Sequence, residues 1–377
     1  MNEDTLAVWL ALNEEDRPEI DYWLLLSRLR GPAGALARAV LEFGGAREVF
    51  TASATELSRV LGLTPAVLRR LVVVEAKGDL AKERDSFVRA GASLVTVLDG
   101  AYPTRLRDLD DPPPCLFTVG DASLLAADSV AIVGSRSAPE AARLEAESLA
   151  ARLAACGVCV VSGFAVGVDA AAHKGALRSG TTVAVLGCGI DINYPREHSA
   201  LRSEVATRGL LLTELPIGTH PRTWTFPQRN RIIAAVSLAT VVVGARRRSG
   251  ALLTARSAQE LGRPVGVLPG DARDPSHRGA LDLLSAGAAL IESADDVLKL
   301  IGRAGALGGT GPAGPPAPRN LSPDEDRVLR ALLGDPELLE TVAERAGMST
   351  AAAAGALLML EVKGLARRHV GGRFARA

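Results

Sequence analysis

Six short, uninterrupted apolar runs punctuate the middle of the chain. They are VAIVG from Val130, VCVVS from Val158, TVAVLG from Thr182, LLLTE from Leu210, TVVVG from Thr240 and PVGVLPG from Pro264. Runs that are apolar throughout, rather than alternating, belong to strands covered on both faces. Between them lie segments with helical spacing, and this alternation marks βαβ units in a mostly parallel sheet. The pattern predicts an α/β, extended Rossmann-like domain over residues 99–301.

The flanks read differently. Residues 1–98 are predicted to be mostly helical, with WLALN and IDYWLLLSRL carrying apolar residues at helical spacing. Within them TELSRVLGLTPAVL, from Thr55, resembles a helix–hairpin–helix. It would turn at Leu61-Gly62-Leu63 and restart at a Thr64-Pro65 cap. A small interaction bundle of the sterile-alpha-motif type fits the same stretch. A Pro-rich connector with Tyr102-Pro103 and Asp111-Pro112-Pro113-Pro114 leads into the sheet. Residues 302–319 lack any period and read as a flexible linker. In residues 320–377, Ser322-Pro323-Asp324-Glu325 caps a helix. Leu338–Ala346 and Ala351–Val362 then read as helix–turn–helix, followed by a two-stranded wing turning at Gly371-Gly372. That predicts a winged helix. Its second helix, AAAAGALLMLEV, offers no side chain able to read a base edge.

Composition narrows the class. The chain has 377 residues, 47% hydrophobic and 23% charged, with formal net charge zero. A neutral total does not announce a nucleic-acid partner, although it can hide a local basic patch. No apolar run approaches the ~18 residues of a membrane span, and the acidic N-terminal stretch lacks a cleavable-signal pattern. The expectation is a cytoplasmic protein without membrane contact. Cys115, Cys156, Cys159 and Cys188 are too few and too scattered for a disulfide framework. Cys156-Gly157-Val158-Cys159 runs into an apolar strand and has no second pair to complete a zinc site. The five histidines show no metal-binding spacing, so no metal or cofactor is expected.

The chemistry collects on one edge. Right-handed crossovers place the loops after all six strands at the carboxyl end of a parallel sheet, where ligands bind in this architecture. These loops carry Gly134-Ser135-Arg136; Ser162-Gly163-Phe164 with Lys174 beyond; Gly187-Cys188-Gly189 through Tyr194-Pro195-Arg196; Thr223 to Arg231, including Trp224, Phe226, Arg229, Asn230 and Arg231; Arg246-Arg247-Arg248; and Pro269-Gly270-Asp271. Singly, each arginine reads as a solvated surface charge. Together, basic groups, free backbone N–H groups and aromatics in a chain only 3% aromatic suit single-stranded nucleic acid, whose phosphates are held while its bases stack. A dinucleotide site is weakly supported, because the first loop is GSRSAP and lacks the G-x-G-x-x-G fingerprint. A P-loop is absent. A hydrolase acting on nucleotides would need a carboxylate, and Asp169, Asp191 and Glu214 are available. Asp169 is placed to cap a helix, Glu214 to bond loop amides, and His173 to pack or bond the loop.

AIVGSR, SGFAVGVDAAAHKGAL, TVAVLGCGIDINYP, FPQRNRII, SGALLTA and GRPVGVLPG, in this order, resemble the DNA-processing protein A (DprA/Smf) family. So do the lead-in residues Tyr102-Pro103-x-x-Leu106 and Pro112-Pro113-Pro114-Cys115-Leu116-Phe117-x-x-Gly120. The resemblance is strong over about 100–300, and the flanking units fit the family's three-part layout. It implies a non-enzymatic, homodimeric protein that binds single-stranded DNA, protects incoming strands and loads RecA recombinase in natural transformation. By motif position it implies DNA contacts at Ser135, Arg136, Ser162, Gly163, Phe164, Lys174, Arg196, Arg229, Asn230 and Arg231. Two positions depart from the family pattern. Val243-Gly244-Ala245 replaces a common V-E-A, and Leu281 replaces an asparagine. Losing that carboxylate and gaining Arg246, Arg247 and Arg248 implies a more basic rim.

Overall fold

The structure, a computed structural model, describes residues 17–29, 33–62, 79–270, 277–303, 322–332, 337–362, 365–369 and 373–376. By contact the chain divides into two units, Met1–Leu307 and Gly308–Ala377.

In the first unit all six predicted strands form where the apolar runs stand. They are β3 (Ser129–Gly134), β4 (Cys159–Ser162), β5 (Thr182–Val185), β6 (Leu210–Thr213), β7 (Ala239–Val243) and β8 (Val265–Leu268). They pair in parallel, in the order β6-β5-β4-β3-β7-β8. Among the described residues the sheet reaches nine strands. An antiparallel pair, β1 (Ser93–Thr96) and β2 (Cys115–Gly120), extends one edge, and β9 (Ala289–Leu290) the other. β1 is a strand that the mostly helical reading of residues 1–98 did not single out. SLVT is too short and too polar at its flanks to announce itself, and it is defined by its register against Cys115–Thr118.

Burial on both faces explains the continuous apolar runs. Val130 and Ile132 join one core with α6 (Glu140–Ala155), α7 (Val168–Ser179) and α12 (Ala294–Leu300). Ala131 and Val133, one residue out of phase, join the other with α9 (Thr225–Val236) and α10 (Gly250–Glu260). The same second core takes in α1 (Glu19–Arg28), α2 (Ala35–Phe43), α3 (Ala46–Thr51) and α4 (Ala54–Leu61). The N-terminal helices therefore share apolar packing with the sheet. The expected hairpin's second half, from Leu63, lies outside the described residues. α5 (Leu80–Arg89), α8 (Ser199–Arg208) and α11 (Arg278–Ser285) complete the first unit's described helices.

The second unit begins at α13 (Pro323–Ala331), whose Ser322 and Glu325 form a reciprocal capping box. α14 (Leu339–Ala346) and α15 (Thr350–Val362) follow, with a left-handed Gly347 between them. β11 (Ala366–His369) and β12 (Arg373–Arg376) pair antiparallel as the wing, and β10 (Glu337–Leu338) adds a third strand. The winged helix is as the spacing predicts. Its Gly371-Gly372 turn, like linker residues 304–319, lies outside the described residues.

Candidate nucleic-acid interface

The strand order reverses direction between β3 and β7, and the crevice outside such a switch point is where open α/β sheets bind ligands. The two loops there interlock. Ser135 N–H donates to Gly244 O at 3.0 Å, and Ser135 O accepts from Val168 N–H at 3.3 Å. Gly167, at φ 88°, makes the second contact possible, because a Cβ there would strike the Ser135 and Arg136 carbonyls.

A cleft of about 280 Å³ opens above this point, lined among others by Ser135, Arg136, Asp169, Phe226, Arg246 and Arg248. The first turns of α7, α9 and α10 border it through Asp169, Phe226-Pro227 and Gly250-Ala251. Helix N-termini carry partial positive charge and unpaired N–H groups, so three of them beside Arg136, Arg246 and Arg248 suit an anion. A second cleft of about 150 Å³ adjoins the first, lined by Phe164, Gly187, Tyr194, Pro195, Glu197 and others. Arg136 and Phe226 border both clefts. The exposed Arg136 guanidinium lies 4.8 Å from the Phe226 ring centroid, in cation–π range. Gly187 lets that ring approach the backbone, since a Cβ would sit 2.7 Å from Phe226 Cδ1. Tyr194, 38% exposed, stands 6.0 Å from Phe226, and Trp224 is 48% exposed.

Beneath the clefts is a buried polar layer. Arg229 is 4% exposed and its Nη1 donates to Gly163 O and Val185 O, the carbonyls at the ends of two adjacent strands. Its Nε donates to Asn230 Oδ1 at 3.2 Å, and Asn230 Nδ2 donates to Gly250 O at 3.1 Å. Burial pushes the Arg229 guanidinium down to about 10, against the attraction of Asp169. Burial likewise raises the Asp169 carboxyl, opposed by Arg229 and by the Ala165 N–H it accepts. His173 is neutral, burial holding it down to about 3. Thr182 Oγ1 donates to Val160 O and lies 2.7 Å from His173 Nδ1, so Nδ1 carries the proton.

The predicted residues therefore separate into a surface set and a supporting set. Arg136, Arg246 and Arg248 meet at the first cleft, with Ser135 in its wall. Lys174 and Arg196 are exposed but border neither cleft. Arg247 turns away to pair with Asp282, its Nε 2.8 Å from Oδ2. The Ser162 hydroxyl is buried and donates to Ile132 O. Gly163 backs onto Arg229, whose Cζ a Cβ would approach to 2.7 Å. Phe164 is 2% exposed, at φ 58°, and its ring packs on His173 and His198, each 5.6 Å away. It is a wall from behind and presents no free face to a base. Residues Thr225–Val236 form a helix where a loop was expected, because Pro227 falls in the first turn, which tolerates it. The helix splits Arg229 from Arg231, which pairs with Glu214 and donates to Asp111 O at 2.8 Å. Glu214, expected to bond loop amides, is that arginine's partner. Phe226 and Tyr194 are the missed members. Both were visible as rare aromatics in edge loops, but nothing local said which aromatic faces out.

The family model of DNA recombination-mediator protein A matches residues 93–302, and that of the DprA winged helix domain matches residues 312–372. The chain belongs to the DprA family. It is 40% identical to a putative DNA processing protein DprA of Mycobacterium tuberculosis over 76% of this chain and 77% of that protein. It is 37% identical to protein Smf of Escherichia coli over 70% and 72%. The X-ray structure of the Streptococcus pneumoniae DprA superposes with a TM-score of 0.65 at 32% identity, over 74% of this chain and 97% of that one. A Helicobacter pylori DprA, whose structure concerns its single-stranded DNA binding mode, gives 0.51 at 32% identity, over 55% and 94%. Among the described residues no helix is long and apolar enough to cross a membrane.

Proposed function

We propose that this DprA-family chain grips single-stranded DNA along the carboxyl edge of its sheet and does not cut it. The observation that carries this reading is the Arg136–Phe226 stack between the two clefts. It sets a cationic, helix-N-terminal compartment for phosphate beside an aromatic one for bases, the combination that holds single strands. The DNA named for the Helicobacter pylori relative supports the same ligand here.

The rival reading, a nucleotide hydrolase, needs one of its three candidate carboxylates free to act, and each is engaged. Asp169 accepts from Ala165 N–H, Asp191 from Gly218 N–H at 2.9 Å, and Glu214 is paired with Arg231. Duplex readout by the winged helix is disfavoured by α15, where exposed Ala351, Ala352, Gly355, Leu358 and Met359 offer no side-chain hydrogen-bonding group and only Thr350 and Glu361, at its two ends, do among its exposed residues. By family likeness the bound strand is passed to the RecA recombinase by a homodimer, in the cytoplasm, during transformation and recombination. The test is to incubate end-labelled oligo-dT with wild type and Arg136→Ala. Wild type is expected to retain the strand at full length and the variant to release it. Shortened strand or freed ribose would reverse the reading.

A further inference from the structure

We propose that Asp282 limits how many phosphates the first cleft holds, by keeping the Arg247 guanidinium out of it. The proposal rests on the single-stranded DNA reading and names the residue that restrains the site.

Arg246, Arg247 and Arg248 are consecutive in the loop after β7, and the first and last of them line the cleft. The backbone on either side of Arg247 is fixed. Gly279 N–H and Ala280 N–H, in the first turn of α11, both donate to Ala245 O, at 2.8 and 3.2 Å. Gly279 lies close against the loop, since a Cβ there would come within 2.6 Å of Arg246 O. Beyond the arginines, Ser249 N–H donates to Arg246 O at 2.9 Å, and the Ser249 side chain caps α10. Arg247 is therefore anchored at the rim of the cleft, and only its side chain is drawn off.

Asp282 does the drawing. Its carboxylate takes Arg247 at two points, Nε to Oδ2 at 2.8 Å and Nη2 to Oδ1 at 3.2 Å. A guanidinium offers the same fork to a phosphate, so the two anions compete for one group. Among the described residues Arg247 makes no other side-chain hydrogen bond. The partners are 66% and 53% exposed, so the pair can break by side-chain rotation alone, without disturbing the core. Arg278 is the acid's second cationic neighbour.

Oligo-dT binding by full-length wild type, Asp282→Asn, Arg247→Ala and the double variant tests this. Asp282→Asn is expected to bind roughly threefold to fivefold tighter at low salt, with a log–log salt slope steeper by about 0.7, one further phosphate. Arg247→Ala should stay within about twofold of wild type, and the double variant should match it. Glu260→Gln frees Arg256 from a comparable exposed pair at the far end of α10 and controls for lost negative charge. Its binding should change by less than about twofold. A gain that survives in the double variant, or that Glu260→Gln matches, belongs to net charge, to Arg278 or to altered assembly and overturns the proposal. The absence of any gain in Asp282→Asn overturns it as well. Failure of every protein to bind oligo-dT overturns the single-stranded DNA reading itself.

Discussion

At the scale of single residues, chemically similar side chains have been given opposite jobs by burial. Phe164 and Phe226 both follow strand ends, yet one lies within the core and the other forms the rim. Phe226→Ala should therefore weaken single-strand binding by about 1–3 kcal/mol with little change in melting. Phe164→Ala should cost roughly 3–5 kcal/mol of stability. Paired binding isotherms and thermal melts distinguish them, and a swap of phenotypes would sink the assignment. His173 makes a separate prediction. In the folded chain it resists protonation until about pH 3, whereas an unfolded imidazole takes its proton near 6.5. The unfolded state binds more protons across that window, so His173 erodes stability as pH falls from about 6.5 to about 3, by on the order of a few kcal/mol. In His173→Gln, denaturant midpoints should depend less on pH there. None of this contrast is legible locally, because an aromatic after Ser162-Gly163 reads the same whether it points in or out.

At the scale of elements, six strands were legible because both-face burial writes itself as unbroken apolar runs. β1 and the start of α9 were not. β1 exists through pairing with β2, and TFPQRN opens on residues that suit a loop equally well. The loop after β7 shows the same limit. Its three arginines are equivalent in sequence, but Asp282, 35 residues on, draws Arg247 aside while Arg246 and Arg248 line the cleft. Arg246→Ala and Arg248→Ala should each lower affinity several-fold at low salt, and Arg247→Ala should do less. Equal losses in a side-by-side titration would return Arg247 to the site. The β4–α7 loop is tightly specified too. Gly163→Ala would press a methyl into a guanidinium held by two carbonyls, so it should lower stability and DNA affinity together, as melting and binding on one preparation would reveal.

At the scale of the whole molecule, a net charge of zero conceals a polarised one. The parallel sheet gathers strand ends from across about 130 residues onto one edge, and the order of its strands sets the crevice at β3 and β7. Of the acids there, Asp169 accepts from Ala165 N–H and Glu214 pairs with Arg231, and the exposed Glu197 is outnumbered by Arg136, Lys174, Arg196, Arg246 and Arg248, all exposed. The central claim is that this edge holds phosphates, and a salt titration of oligo-dT binding tests it most directly. If three to five of those cations meet phosphates, the log–log slope of the association constant should be roughly −2 to −3.5, and shallower by about 0.7 in Arg136→Ala. A slope near zero, or one unchanged by Arg136→Ala, would contradict it.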